Sequence, residues 1–157
     1  MAGKLKVKIQ EDIILDNQDY GSKRTFEISS IVNITKKIVT IASDDDATVL
    51  VFKSTTASAD SALDLQNVKY IRITNLDSSN SVNVSLQLDS GEDNSAADLS
   101  ITHLLEAGRS FLMGAPDESA HADDDSATIV TALTDLESII VDPGSNSGQV
   151  EVFVAST

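Results

Sequence analysis

The chain has 157 residues, no cysteine and a formal charge of −14 at pH 7. The absence of cysteine excludes disulfides, thiolate metal sites and thiol catalysis, and this length suffices for one domain with a core that needs no covalent cross-links. No apolar run approaches the ~20 residues that cross a bilayer, and the negative charge repels a phosphate backbone. We therefore expect one soluble domain over residues 1–157, made in a cytoplasm, that binds neither membrane nor nucleic acid.

The charge is distributed unevenly along the chain. Residues 1–73 carry ten Lys or Arg against ten Asp or Glu, whereas residues 74–157 carry Arg109 alone against fifteen carboxylates. Such an asymmetry indicates two surfaces with different partners. We expect the acidic second half to face solvent and the balanced first half to face a binding partner.

Alternation of apolar and polar residues, rich in β-branched side chains, predicts about ten strands. Segments rich in Gly, Asp, Asn and Ser separate them, and helix is limited to one or two turns within residues 55–67. This pattern predicts an all-β fold, an antiparallel β-sandwich of jelly-roll or immunoglobulin-like type. The predicted strands are residues 4–9, 24–29, 36–42, 48–53, 68–74, 81–88, 98–104, 127–133, 137–141 and 149–154.

The first predicted strand has one basic face and one apolar face. Lys4, Lys6 and Lys8 alternate with apolar residues, which is the pattern of a strand with one face in solvent. No aromatic residue is interleaved to stack on bases, so a nucleic-acid site is disfavoured. A face that docks an acidic protein partner remains open, and residues 1–10 are a candidate docking strand or arm.

Two acidic triplets, residues 44–46 and 123–125, raise the question of a cation site. Loops that wrap Ca²⁺ space their carboxylates at alternate positions, and neither triplet does so. We therefore expect solvated acidic turns, with no metal and no cofactor. The second triplet lies in the longest predicted loop, residues 114–126, and loops of that length are usually functional. The partner-binding candidates in this loop are His121, Asp123, Asp124 and Asp125.

The sequence shows no recognisable set of catalytic residues. The segment of residues 144–148, Gly-Ser-Asn-Ser-Gly, resembles a nucleophile elbow but has Asn at the central position, so a hairpin loop is expected instead. His103 follows an apolar alternation, and we expect a residue at the core edge or at an interface, because no nucleophile or orienting group is placed beside it. The chain is therefore not expected to be an enzyme.

Three blocks in the second half carry a family resemblance. They are NVKYIRITNLDSSNSVNVSLQL from position 67, LSITHLLEAGRSFLM from position 99 and LESIIVDPGSNSGQVEVFVAS from position 136. In these blocks the chain resembles small structural proteins of tailed bacteriophage particles, over a little more than half of its length.

The resemblance implies a non-enzymatic virion protein on the particle surface. A capsid decoration or cement protein is the first expectation, and a tail, collar or receptor-binding component is the alternative. The implied partners are the major capsid protein and neighbouring copies of the chain, in a homo-oligomer for which a trimer is favoured. A glycan hydrolase stays open as a second alternative, because twenty-five acidic residues leave room for a catalytic carboxylate pair.

Overall fold

The computed structural model describes residues 2–53, 62–89, 99–122 and 132–157. This part of the chain is almost entirely β-structure, with one 3-10 turn at Leu65–Asn67, so the all-β prediction is confirmed. The strands are β1 (Gly3–Glu11), β2 (Ile14–Leu15), β3 (Gln18–Asp19), β4 (Ser22–Ile31), β5 (Asn33–Ile41), β6 (Ala47–Lys53), β7 (Leu63–Asp64), β8 (Val68–Asn75), β9 (Val82–Asp89), β10 (Leu99–Leu105), β11 (Ser110–Met113), β12 (Asp135–Asp142) and β13 (Gly148–Ser156).

Two sheets form the sandwich. One has the order β10-β9-β12-β6-β7 and the other the order β11-β8-β13-β5. Among the described strands every pairing is antiparallel except the two-residue pairing of β6 with β7. The two-residue strand β7 is left out here, and the eight longer sandwich strands, β5, β6 and β8 to β13, are renumbered 1 to 8 in chain order. The first sheet then has the order 2-7-4-5 and the second the order 1-8-3-6, which is the strand order of a jelly roll. The predicted antiparallel sandwich is thus confirmed, and of the two expected topologies the jelly roll is the one formed.

Branched aliphatic side chains from both sheets fill the core. Ile71, Ile73 and Val152 project from the second sheet, and Leu88 and Ile139 from the first, all with no exposed surface. Each of these strands alternates between buried and more exposed residues, as expected where one face of each sheet is covered by the other. This alternation explains why a chain with few aromatic residues still closes a continuous core.

A long hairpin lies outside the two sheets of the sandwich. β1 pairs with β4 along its length, and the hairpin continues through β2 and β3. It ends in a two-residue turn at Asp16 and Asn17, whose φ angles of 51° and 63° are both positive, as in a type I′ turn. We call residues 2–31 the arm. Its two long strands contain the predicted strands 4–9 and 24–29.

Several predictions near the chain connections differ from the structure. β11 was not expected, and the predicted strand 127–133 lies almost entirely outside the described residues. The predicted helical segment is described only from residue 62, where it forms β7 and the 3-10 turn. Asp64 caps that turn by accepting a hydrogen bond from the backbone N–H of Gln66 at 3.2 Å.

The connection over residues 144–148 is not a hairpin loop. β12 and β13, which it joins, belong to different sheets, so this turn crosses from one layer of the sandwich to the other. Gly144 adopts a φ of +65° there, a conformation that glycine tolerates without steric cost. Within the described ranges, no helix is long and apolar enough to span a membrane.

Candidate functional site

The base of the arm packs on the outer face of the second sheet. Leu5, Val7 and Ile28 of the arm contact a small buried cluster that includes Tyr70, and Phe153 packs against the same cluster. The rings of Tyr70 and Phe153 meet edge to face, with centroids 6.1 Å apart. Burial raises the pKa of the Tyr70 hydroxyl, and the nearby Arg72 guanidinium partly opposes this shift. The arm is therefore anchored at its base by an apolar contact that is separate from the main core.

A line of charged side chains crosses the same outer face. The carboxylate of Glu151 on β13 accepts hydrogen bonds from Lys36 on β5, at 3.0 Å, and from Arg72 on β8. The hydrogen bond from Lys36 is the largest cause that holds the pKa of Glu151 below its ordinary value. Arg72 also lies over the ring of Phe153, 5.8 Å from its centroid. These contacts tie three neighbouring strands together across their exposed face.

The predicted docking lysines lie on the exposed side of β1. Lys4 and Lys6 both approach Glu27 on β4, at 3.8 and 2.8 Å. The Lys6 hydrogen bond lowers the pKa of Glu27 and raises that of Lys6. Exposed pairs of this kind contribute little to stability. Lys8 is also exposed and has no ion pair within the described residues. The role of the three lysines in partner binding stays a prediction.

Residues 9–38, which run from the outer half of the arm into β5, carry exposed apolar side chains that the sequence analysis missed. Ile14 is 76% exposed, and nine of the thirteen large apolar side chains that are exposed in the described part of the chain fall between residues 9 and 38. Clustering of this kind marks an interaction surface, whereas isolated exposed apolar residues are normal. The nine are Ile9, Ile13, Ile14, Leu15, Tyr20, Phe26, Val32, Ile34 and Ile38.

Part of this surface belongs to β5, at one edge of the second sheet. β5 pairs only with β13 in the described sheet, so no described strand pairs with its other edge. Ile34 and Ile38 lie on the outer face at 59% and 57% exposure, with Lys36 between them. An edge strand with exposed apolar residues is a template for association with another chain.

His121 lies in a segment that is held close to the sandwich. Ala120 forms a β-bridge with Thr134, and the backbone N–H of Leu136 donates to the carbonyl of Pro116 at 3.1 Å. His121 is half-buried, and its Nδ1 has no hydrogen-bond partner among the described atoms. The other three candidates of this loop, Asp123, Asp124 and Asp125, lie outside the described residues. The described contacts of residues 116–122 include the core and residues 134–136.

The remaining candidates for chemistry are in turns and at a strand edge. The described ranges contain no group of three or more His, Asp or Glu side chains placed to hold a metal ion. In the first acidic triplet, the backbone N–H of Asp44 donates to the carbonyl of Gly144 at 2.7 Å, so the turn is fixed by the backbone. His103 is exposed on β10, and its ring lies 5.4 Å from that of Phe111, which packs against the core.

The blocks that carry the family resemblance are explained by packing and turn formation. Asn75, at the end of β8, has no exposed surface. Its amide donates to the carbonyls of Asn80 at 2.8 Å and Leu105 at 3.1 Å, and its side-chain oxygen accepts from the N–H of Asp77 at 3.0 Å. The backbone N–H of Asn75 donates to the carbonyl of Arg109. One residue thus joins the first block to the second.

No family model matches the chain, and no curated protein matches its sequence. The chain is similar to a solved structure from work on Bacillus endospore appendages, described as a novel family of disulfide-linked pili, with 12% identity, 79% of this chain and 88% of that chain covered and a TM-score of 0.37. At that identity and TM-score the similarity carries no argument about function, and the present chain has no cysteine.

Proposed function

We propose that the chain is a non-enzymatic structural protein that acts by binding other protein surfaces in a large assembly. The observation that carries this proposal is the arm, whose outer half exposes Ile13, Ile14, Leu15 and Tyr20 to solvent. A two-stranded hairpin is marginally stable by itself, and a clustered apolar surface is a liability for a free protein. Both features are accounted for if the arm is covered by a partner in the assembled state.

Within that class, we propose a capsid decoration or cement protein of a tailed bacteriophage. The support is the resemblance of residues 67–157, which form β8 to β13 of the jelly roll. A cement protein needs a rigid body, contacts that do no chemistry, and copies that stay soluble before assembly, for which a large net charge is suited. The partners under this proposal are the major capsid protein and neighbouring copies of the chain, with three copies as the favoured order.

The contact surface lies in the part of the chain that the resemblance does not cover. The arm and β5 belong to residues 1–66, whereas the matching blocks supply most of the core and the turns. A shared body with a different contact region is what we expect of a family whose members bind different shells, because function resides in sites added to a fold.

The experiment that tests this proposal is a copy-number measurement on purified particles. Quantitative mass spectrometry, with the major capsid protein as the internal standard, should give on the order of hundreds of copies per particle, as expected of a protein repeated over the shell symmetry. A small multiple of three or six would place the protein in the tail or collar. Copurification with a bacterial envelope, and absence from particles, would refute a virion role. Turnover of surface glycans by the purified protein would refute the non-enzymatic class.

A further inference from the structure

The tip of the arm is both acidic and apolar. We define the arm tip as residues 10–22, which contain four carboxylates and neither Lys nor Arg. Ile13, Ile14, Leu15 and Tyr20 lie among these carboxylates, each more than half exposed. A partner for this surface must therefore cover apolar side chains and supply positive charge.

The outer face of β5 has the opposite character. Residues 28–43 contain Lys36 and Lys37 and no carboxylate. Ile34 and Ile38 flank Lys36 on the outer face and are exposed by more than half, whereas Lys37, paired in register with the core residue Val152, lies on the opposite face of the sheet. We call the surface formed by residues 32–38 the β5 face. It combines exposed apolar residues with the basic side chain of Lys36, which also pairs with Glu151.

The body of the molecule beyond β5 does not suit the tip. Residues 42–157 contain four Lys or Arg against twenty Asp or Glu, so most of the body repels an acidic hairpin. The tip also does not cover the β5 face of its own chain, because the arm base is fixed on the cluster around Tyr70 and the side chains of both surfaces are exposed in the same molecule. The occupant that fits the β5 face is the tip of another copy.

We infer that the arm tip of one molecule docks on the β5 face of a second molecule. Apolar contact between the tip residues and Ile34 and Ile38 supplies the attraction, and the tip carboxylates approach Lys36. Each copy then offers one tip and one β5 face, so the interface joins unlike surfaces and builds a ring or an open chain of copies. This inference concerns the protein itself and does not depend on the virion proposal.

The first test measures self-association of the purified full-length chain by sedimentation velocity from about 1 to 100 µM, a range that detects micromolar affinity. The tip variant carries Ile14→Asp and Leu15→Asp, and the β5 variant carries Ile34→Asp and Ile38→Asp. Each should weaken association at least about tenfold, because each introduces charge into one apolar half of the interface. The matched control is Leu104→Asp, which changes an equally exposed leucine on β10 and should leave association unchanged.

The second test mixes the tip variant with the β5 variant. The tip variant retains an intact β5 face and the β5 variant retains an intact tip, so one working interface remains and a 1:1 complex should form. If instead the arm tips of two molecules paired with each other, the tip variant could not form a complex with the β5 variant, because one of the two tips would be altered. If the β5 variant melts early by circular dichroism, Ile34→Asp alone replaces it, because this side chain is exposed on the outer face.

The inference is overturned by any of three results. A wild-type chain that stays monomeric at ~100 µM would show that the two surfaces do not bind each other at relevant affinity. Unchanged association of either variant would show that its surface takes no part. A mixture that contains only monomers would exclude the docking of tip on β5 face. None of these measurements involves a particle, so they can fail while the virion proposal survives, or succeed while it fails.

Discussion

Replacement of Asn75 by alanine should destabilise the sandwich by about 3 kcal/mol. The side chain is fully buried and makes three hydrogen bonds, to Asn80, Leu105 and Asp77. Each such bond contributes about 0.5–1.5 kcal/mol net, and its loss leaves a carbonyl or N–H group without its partner. For a protein of this size, a loss of about 3 kcal/mol lowers the melting temperature by roughly 6–12 °C.

The assay is urea unfolding followed by circular dichroism, together with thermal melts. Asn146→Ala is the matched control, because this asparagine is exposed in the turn between β12 and β13 and its loss should change stability by less than about 0.5 kcal/mol. Asn75→Asp keeps the oxygen that accepts from Asp77 but loses both donors, and should be at least as unstable as Asn75→Ala at neutral pH. A loss below about 1 kcal/mol for Asn75→Ala would refute the bridging role of this residue.

Three further predictions concern the start of β13, the outer face of the second sheet and the arm. Gly148→Ala should cost about 1–3 kcal/mol in urea unfolding, because a Cβ there would lie 2.8 Å from the Cβ of Pro143; wild-type stability would contradict the close approach. Since the hydrogen bond from Lys36 lowers the pKa of Glu151, the folded state loses this contribution as pH falls below the ordinary value of 4.5. Glu151→Gln should therefore flatten the loss of stability on acidification, and an unchanged pH profile would count against the assignment. Gly21→Ala would bring a Cβ within 2.7 Å of a backbone carbonyl across the hairpin, so trypsin should cut the arm faster while the melting temperature of the sandwich stays unchanged; equal cleavage rates would oppose this.

The sequence allowed most sandwich strands to be located, because each of these strands has one covered face. In β13, for example, Val150, Val152 and Val154 are buried and alternate with more exposed residues, and this period-two pattern is legible without a structure. β11 was missed because its four residues are too few to show a period. The predicted hairpin at residues 144–148 was wrong because a turn sequence indicates a reversal of the chain, not the sheet to which the next strand belongs.

The arm was only partly predictable for a related reason. Alternation in β1 separated Lys4, Lys6 and Lys8 from an apolar face, and the structure places that face partly against the second sheet. The apolar run at residues 13–15 does not alternate, so its pattern did not predict a strand or an exposed surface, although it is the most exposed apolar segment described. Burial depends on which surfaces meet in three dimensions, and residues near one another in the sequence do not determine it.

The pairing of β5 with β13 has a consequence for synthesis. Thr40 and Gln149, whose side chains hydrogen-bond across this pair, lie 109 positions apart along the chain. Translation at about 5–20 residues per second leaves roughly 5–20 s between the appearance of one strand and that of the other. During this interval β5 leaves the ribosome before the strand that completes its sheet exists. Polysomes carrying many nascent chains of this protein therefore present the same uncovered segments to one another, and a chaperone that binds apolar strands would meet residues 9–38 first.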